Sequence, residues 1–262
     1  MLDLQPLLNS TFLAHAEHHL EIDSTQTRAR TLAALADRGE IPLPALVVAD
    51  VQTAGRGRGS NRWWTGQGSL AFSLLVDPQQ FGFPRRAVPR LSLAVGVALV
   101  DALAARLADH PLGLHWPNDL YVGRAKLAGI LVEVLPDGRH IIGIGLNSNN
   151  TMQAAPPELR ESIATLLDLT GRQHDHVELL AAILENIEAV LQLLGHSDEV
   201  LGTRFDMLCR QHGEVLTVYQ GETQTTGLCA GIGADGSLLL DTPQGRKAIQ
   251  SGTLKQGGWR EK

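Results

Sequence analysis

The sequence is short of cysteine, of net charge and of long apolar runs, and each shortage closes off a class of protein. Its two cysteines, Cys209 and Cys229, stand in no C-x-x-C spacing, so neither a disulfide framework nor a zinc motif is readable, and a reducing compartment suits them. The net charge is only −6, which excludes bulk adhesion to nucleic acid or to an anionic membrane. The most apolar long stretch, residues 91–107, is interrupted by Asp101 and Arg106 and is too short and too charged to span a bilayer. The opening "MLDLQPLLNSTF" lacks a basic segment followed by an apolar one, so no secretory signal is read there. These absences together predict a cytoplasmic protein.

What is present is ordinary globular material. The chain has 262 residues, 44% hydrophobic and 19% charged, enough for one large core and a small extra domain. "HLEIDS" (19–24) alternates apolar and polar residues and predicts a strand. A helix over residues 25–38 follows, capped by Ser24 or Thr25 and stopped by Gly39. "LPALVVADV" and "SLAFSLLV" read as buried strands, and residues 86–108 as the long packing helix. "LGLHWPNDLYV" reads as a strand broken at Pro117, and "KLAGILVEVL", "PDG" and "RHIIGIGLN" as a hairpin. Asp175 caps a helix to about residue 194, and a shorter helix runs to about residue 210. After Gly213 the texture changes to short strands with frequent turn signals, the pattern of a small β-barrel. The expected division is residues 1–210 and 211–262.

Local positive charge is concentrated in "VVADVQTAGRGRGSNRWW" (47–64), between two core strands. Glycine allows the backbone to approach a ligand closely, and successive N–H groups in such a loop form an anion-binding nest. Arginine adds planar, permanently charged donors that match phosphate oxygens. The known phosphate loops do not fit: there is no G-x-x-x-x-G-K-[ST], and Ser60 stands where G-x-G-x-x-G needs its last glycine. A ligand-phosphate site, a mobile surface turn and a nucleic-acid contact all remain open from the loop alone.

Two further groups of residues invite the same double reading. In "HWPNDLYVGRAKLAGILVE", Lys126 opens an apolar strand beside small Ala128 and Gly129. It reads as a solvated strand end or as a cation beside a ligand packed on the backbone. Asn118 and Asp119 suit turn chemistry after Pro117. In "EIDSTQT", Ser24 and Thr25 suffice as helix caps, yet also offer hydrogen bonds into a pocket at that strand end. His15, His18 and His19, and likewise His174 and His176, lack a Cys or carboxylate at metal-site spacing and read as solvated surface. Cys209 and Cys229 read as inert.

In order, strand-"IDST"-helix, "QTAGRGRG" with Asn61 and Trp63, "WPND", "KLAGILVE", "GIGLN" and a terminal small barrel resemble the biotin–protein ligases, from about Glu21 to the C-terminus. The resemblance implies an α+β fold: a mixed-sheet catalytic domain packed with helices, plus a C-terminal SH3-like β-barrel. It implies ATP-dependent activation of biotin as biotinyl-5′-AMP, then transfer to a lysine of a biotin carboxyl carrier protein, that of acetyl-CoA carboxylase or of a related biotin-dependent carboxylase. The cofactors implied are ATP and Mg²⁺, the metal carried by ATP with no protein metal site, and biotin is the substrate.

The implied catalytic residues are Lys126, Arg56 and Arg58, fixed cations that offset repulsion between two anions. The implied biotin contacts are Ser24, Thr25, Gln26, Gln52, Arg56, Gly57, Arg58, Lys126 and Gly129. The implied nucleotide contacts are Gly55, Arg58, Trp63 (near adenine), Asn118, Asp119 and Asn147. His115 departs from the family's frequent lysine before "WPND", which predicts a weaker or pH-dependent cationic contact, and Ser60-Asn61 replaces a more basic loop variant. Only about 20 residues precede "EIDST", too few for a helix-turn-helix domain, so the expectation is a ligase without repressor function, DNA or membrane partner, monomeric or weakly dimeric. The alternatives are a lipoate–protein ligase, which shares fold and mechanism, and a catalytically weak biotin- or adenylate-binding module.

Overall fold

A computed structural model describes residues 1–83, 88–196 and 198–254. The elements are α1 (Gln5–Ser10), β1 (His15–Ile22), α2 (Thr25–Asp37), β2 (Ala45–Gln52), β3 (Leu70–Val76), α3 (Val88–Leu103), β4 (Leu112–His115), β5 (Asp119–Val122), β6 (Ala125–Val134) and β7 (His140–Leu146). There follow α4 (Leu166–Thr170), α5 (His176–His196), α6 (Asp198–Met207), β8 (Val215–Gln220), β9 (Thr223–Ile232), β10 (Leu238–Thr242), β11 (Gly245–Ile249) and β12 (Thr253–Leu254). Residues 86 and 87 of the expected long helix lie outside the described residues.

Seven strands form one mixed sheet in the order β1-β2-β3-β7-β6-β5-β4. β1 and β2 are parallel, joined across α2, and every other pairing is antiparallel. The five remaining strands form a separate antiparallel sheet in the order β11-β10-β9-β8-β12. The fold is therefore α+β with a C-terminal all-β unit. Among the described residues, no helix is long and apolar enough to cross a membrane.

Strand alternation decides what each sheet face carries. Leu46 and Val48 of β2, Leu70, Phe72, Leu74 and Val76 of β3, Ile130 of β6, and Ile142, Ile144 and Leu146 of β7 join the main core with the apolar stripes of α3 and α5. The opposite face meets α2 through Ala45, Val47, Leu75 and Ile141, which pack on Ala29, Leu32 and Ala33. Beyond the start of α2, none of the described helices packs on that second face. There the strands present small or polar residues in register: Ser73 opposite Gly143 opposite Leu131, and Ala71 opposite Gly145 opposite Gly129. A trough results.

Ser24 caps α2, its side chain accepting from the Gln26 N–H, and Gly39 follows the helix with φ 70°. Asp175 caps α5 by accepting from the N–H groups of Val177 and Glu178. β1 begins at His15, four residues before the expected strand, and the histidines there are not a solvated surface. His18 faces inward, its side chain 2% exposed and bonded to Asp50 at 2.8 Å. His15 and His19 flank Glu17, which also takes two hydrogen bonds from Arg28. His174 is buried, and His176 bonds to Ser148 at 2.9 Å. Polar partners inside the fold hid these residues from a reading based on hydrophobicity. Cys209 and Cys229 are free and buried.

Candidate active site

The trough deepens into a cavity of about 810 Å³. Of the residues singled out from the sequence, Ser24, Thr25, Gln26, Gln52, Arg56, Gly57, Arg58, Trp63, Asn118, Asp119, Lys126, Gly129 and Asn147 all line it. Gly55 does not. A side chain there would meet the Trp63 carbonyl at 2.5 Å, so this glycine serves a close crossing of the loop over itself.

One end of the cavity is a chain of amide and hydroxyl groups that ends on a carboxylate. Gln52 Oε1 accepts from the Thr25 backbone N–H at 2.9 Å and from its hydroxyl at 3.2 Å. Ser73 Oγ, fully buried, lies 2.8 Å from Thr25 Oγ1 and 3.1 Å from Gln26 Oε1, with one proton to share between them. Gln26 Nε2 donates to Glu133 Oε2 at 2.9 Å. These groups stand at the N-terminus of α2, where backbone N–H groups and the helix dipole favour electronegative atoms.

The arginine loop is folded back on itself. Arg56 bridges to Arg62, and the Gly57 N–H donates to the Asn61 carbonyl at 2.9 Å. Arg56 pairs with Glu133 at 3.2 Å. Arg58 turns the other way and donates to Asn118 Oδ1 and to the Gly252 carbonyl of the C-terminal unit. Burial pulls the Arg58 guanidinium below its ordinary value, opposed by the nearby Asp119 charge, and it stays a cation throughout the working pH range.

Lys126 occupies the middle. The 159–164 segment fixes its backbone, through Lys126 N–H to the Ser162 carbonyl and the Ala164 N–H to the Lys126 carbonyl. Its Nζ is 2.8 Å from Asp119 Oδ1 and 5.5 Å from the centroid of the Trp63 ring. The Trp63 indole lies on the floor that Gly129 and Gly145 leave bare, and its buried Nε1 finds no hydrogen-bond partner among the described residues. His115 stacks on Tyr121 with ring centroids 4.4 Å apart. Burial holds His115 below the usual imidazole range, with Lys126 adding to that and Asp119 opposing it.

Arg56, Arg58, Arg62 and Lys126 line the cavity, where among the described residues Asp119 is the one lining carboxylate, while Glu133 pairs with Arg56 from behind the lining. A chain of net charge −6 has thus gathered cations around one ring-sized floor, an arrangement suited to an anionic ligand with an apolar or planar part. The oxygens that resemble a metal set are already engaged: Asp119 by Lys126, Asn118 by Arg58, and Asn147 by Asn150. Among the described residues no group of three His, Cys, Asp or Glu side chains is placed to hold a metal ion.

Sequence reading passed over Ser73 and gave no site role to Glu133, Gly143 and Gly145, although these stand in "KLAGILVE" and "GIGLN". Ser73 is the one polar residue of "LAFSLLV" and Glu133 the one carboxylate of "AKLAGILVEV", the only signals either carried. Thr253 and Leu254 of the C-terminal unit also line the cavity, at its Arg58 end.

Residues 21–149 match the biotin/lipoate A/B protein ligase family. The biotin–(acetyl-CoA-carboxylase) ligase of Mycobacterium tuberculosis is 32% identical over 86% of this chain and 83% of its own length. The bifunctional ligase/repressor BirA of Bacillus spizizenii is 31% identical over 90% of this chain and 72% of its own length. The structure of the Aquifex aeolicus biotin protein ligase, in complex with biotin and ATP, superposes with a TM-score of 0.79 at 30% identity, covering 92% of this chain and 97% of that one. Motif order, fold and overall similarity agree: the chain belongs to the biotin/lipoate protein ligase family and is an enzyme of its biotin–protein ligase branch.

Proposed function

We propose that the chain activates biotin with ATP and passes it to a lysine of a biotin carboxyl carrier protein, that of acetyl-CoA carboxylase or of a related carboxylase. A biotin carboxylate oxygen attacks the α-phosphorus, forming biotinyl-5′-AMP and releasing pyrophosphate. The carrier lysine amine then attacks the mixed anhydride, forming the amide and releasing AMP. The observation that carries this reading is the placement of Lys126 Nζ between the glycine floor and the nucleotide-side residues Asn118 and Asp119.

The neutral end formed by Ser24, Thr25, Gln26 and Gln52 suits the ureido group, which offers one carbonyl and two N–H groups. Lys126 and Arg58 suit the carboxylate and the α-phosphate, whose mutual repulsion must be offset before a bond forms. Lys126 acts as a fixed charge and not as a nucleophile. An anionic ligand competes with Asp119 for it. Magnesium enters as the counter-ion of ATP, and no step is assigned to a protein-held ion. The loop and the 252–254 segment cover the nucleotide end, which protects a hydrolysable adenylate from water.

The same reading takes residues 1–210 as the ligase domain and 211–262 as an SH3-like barrel, in a cytoplasmic monomer or weak homodimer without repressor function. The test mixes the protein with unmodified carrier domain, MgATP and biotin and takes the carrier's intact mass. Lipoate replaces biotin in a parallel tube. A biotinyl mass gain with biotin alone is expected, and Lys126→Ala lowers its rate on the order of 100- to 1000-fold. A gain with lipoate alone moves the chain to the sister activity. No gain and no pyrophosphate overturns the reading and leaves a binding module.

A further inference from the structure

Glu133 closes the "KLAGILVE" motif but was assigned no ligand contact there, and it has an unusual set of partners. It lies near the end of β6 with its side chain 17% exposed. Oε2 accepts from Gln26 Nε2 at 2.9 Å. Oε1 is 2.8 Å from Arg30 and 3.2 Å from Arg56, whose side chains are 46% and 43% exposed. The carboxylate is the sheltered member of the group, and the guanidinium groups come to it from the surface.

Its two oxygens face different neighbourhoods. On the Oε2 side everything is fixed. The Gln26 amide is pinned by Ser73 Oγ at its oxygen, and that oxygen lies 2.4 Å from where a side chain on Gly143 would begin, so only glycine at 143 admits it. Ser73 in turn holds Thr25, and Thr25 holds Gln52. The polar contacts run from Gln52 through Thr25, Ser73 and Gln26 to Glu133, each within 3.1 Å. On the Oε1 side stands Arg56, flanked by Gly55 and Gly57 in the most glycine-rich loop of the chain. The rigid biotin end and the deformable arginine loop thus meet on one carboxylate. Arg58 donates instead to the neutral oxygens of Asn118 and Gly252.

Resting on the ligase reading, we propose that Glu133 is a positioning residue: it seats the arginine loop over the bound intermediate by holding Arg56 on one oxygen while the biotin-contacting network holds the other. The two loop arginines then differ in role. Arg56 anchors the loop through Glu133, and Arg58 is left to the phosphate end. A loop without its anchor opens more often, so the variant loses the adenylate and biotin while still assembling the cations that form the adenylate.

The experiment compares wild type, Glu133→Gln, Glu133→Asp, Arg56→Gln, the Glu133→Gln/Arg56→Gln double variant and Arg30→Gln. It measures biotin-dependent pyrophosphate release, biotin KM, and escape of preformed labelled biotinyl-5′-AMP into a filtrate, with melting temperature recorded for each. Glu133→Gln keeps the size of the side chain and removes its charge. Adenylate escape and biotin KM should each rise about tenfold, the effect of losing one partly buried charged hydrogen bond, with kcat for pyrophosphate release within about threefold. Glu133→Asp keeps the charge on a shorter arm and should fall between, which also serves if the glutamine variant fails to fold. In the Arg56→Gln background the Glu133 substitution should add less than about twofold, since the two act as one unit. Arg30→Gln should leave escape unchanged. Equal effects of Glu133→Gln in both backgrounds, or unchanged escape and KM, would overturn the assignment while wild-type pyrophosphate release still upheld the ligase. A wild type that released no pyrophosphate would overturn the ligase reading, and this one with it.

Discussion

Gly145 offers a sharp test of how the site is built. A Cβ at this position would stand 2.2 Å from Trp63 Cε2 and 2.5 Å from its Nε1. Ordinary contact starts near 3.4 Å, so Gly145→Ala leaves a shortfall of about 1.2 Å that the indole must make up by moving. The strand cannot retreat instead, because β7 is paired on both sides, with β3 and β6. Overpacking of this kind costs about 1–3 kcal/mol, and at about 2–4 °C per kcal/mol the melting temperature falls by several degrees. Trp63 also shifts relative to Lys126, so KM for biotin and for MgATP rises. Thermal unfolding reads the first effect and steady-state pyrophosphate release the second. The control is Trp63→Ala, which removes the ring that the new methyl would strike. In that background Gly145→Ala should cost no more than about 0.5 kcal/mol. A Gly145→Ala variant as stable as wild type, or one equally destabilised with and without Trp63, would refute the placement of the indole on the glycine floor.

Three further outcomes follow from polar groups sheltered by the fold. Burial lowers the pKa of His115, His174 and His176, so the folded chain resists protons that the unfolded chain accepts. Stability is therefore full above about pH 6.5, the ordinary histidine value, and declines as pH falls toward the lower folded values. Melting temperatures recorded from pH 7.5 to 5.5 should fall, with a smaller fall in His115→Asn; a flat profile would contradict the burial of these rings. Neutral His115 also adds no cation at neutral pH, so His115→Lys should lower KM for MgATP. Gln211 is fully buried, and its Oε1 accepts the Trp116 N–H at 2.7 Å. Gln211→Ala leaves that N–H unpaired and should cost about 1–3 kcal/mol in urea unfolding, whereas a loss under 0.5 kcal/mol would mean that water takes over the bond.

Arg56, Arg58, Lys126 and the "WPND" turn were legible in the sequence because their meaning lies in residue type and local order. A lysine at the start of a buried strand and arginines among glycines are unusual wherever the chain places them. The helix caps were legible for the same reason, since Ser24 and Asp175 act on N–H groups two or three residues away. Ser73, Gly143, Gly145 and Glu133 were not legible, because each acquires its role from a neighbour on another strand. Ser73 is an isolated hydroxyl in "LAFSLLV" until register sets it opposite Gly143 and α2 brings Thr25 and Gln26 above it. Gly143 and Gly145 stood in the "GIGLN" motif without a role of their own, and only their pairing with Leu131 and Gly129 shows that the missing side chains make the floor. His18 was misread for the same reason: its partner Asp50 lies 32 residues away on the adjacent strand. Sequence patterning thus located the charges that a reaction needs, and strand register supplied the surface on which they converge. Substitutions at the motif residues should therefore act mainly on kcat. Substitutions at the register-dependent residues should act mainly on KM and on retention of the intermediate, a split that the Lys126 and Glu133 variants measure in opposite directions.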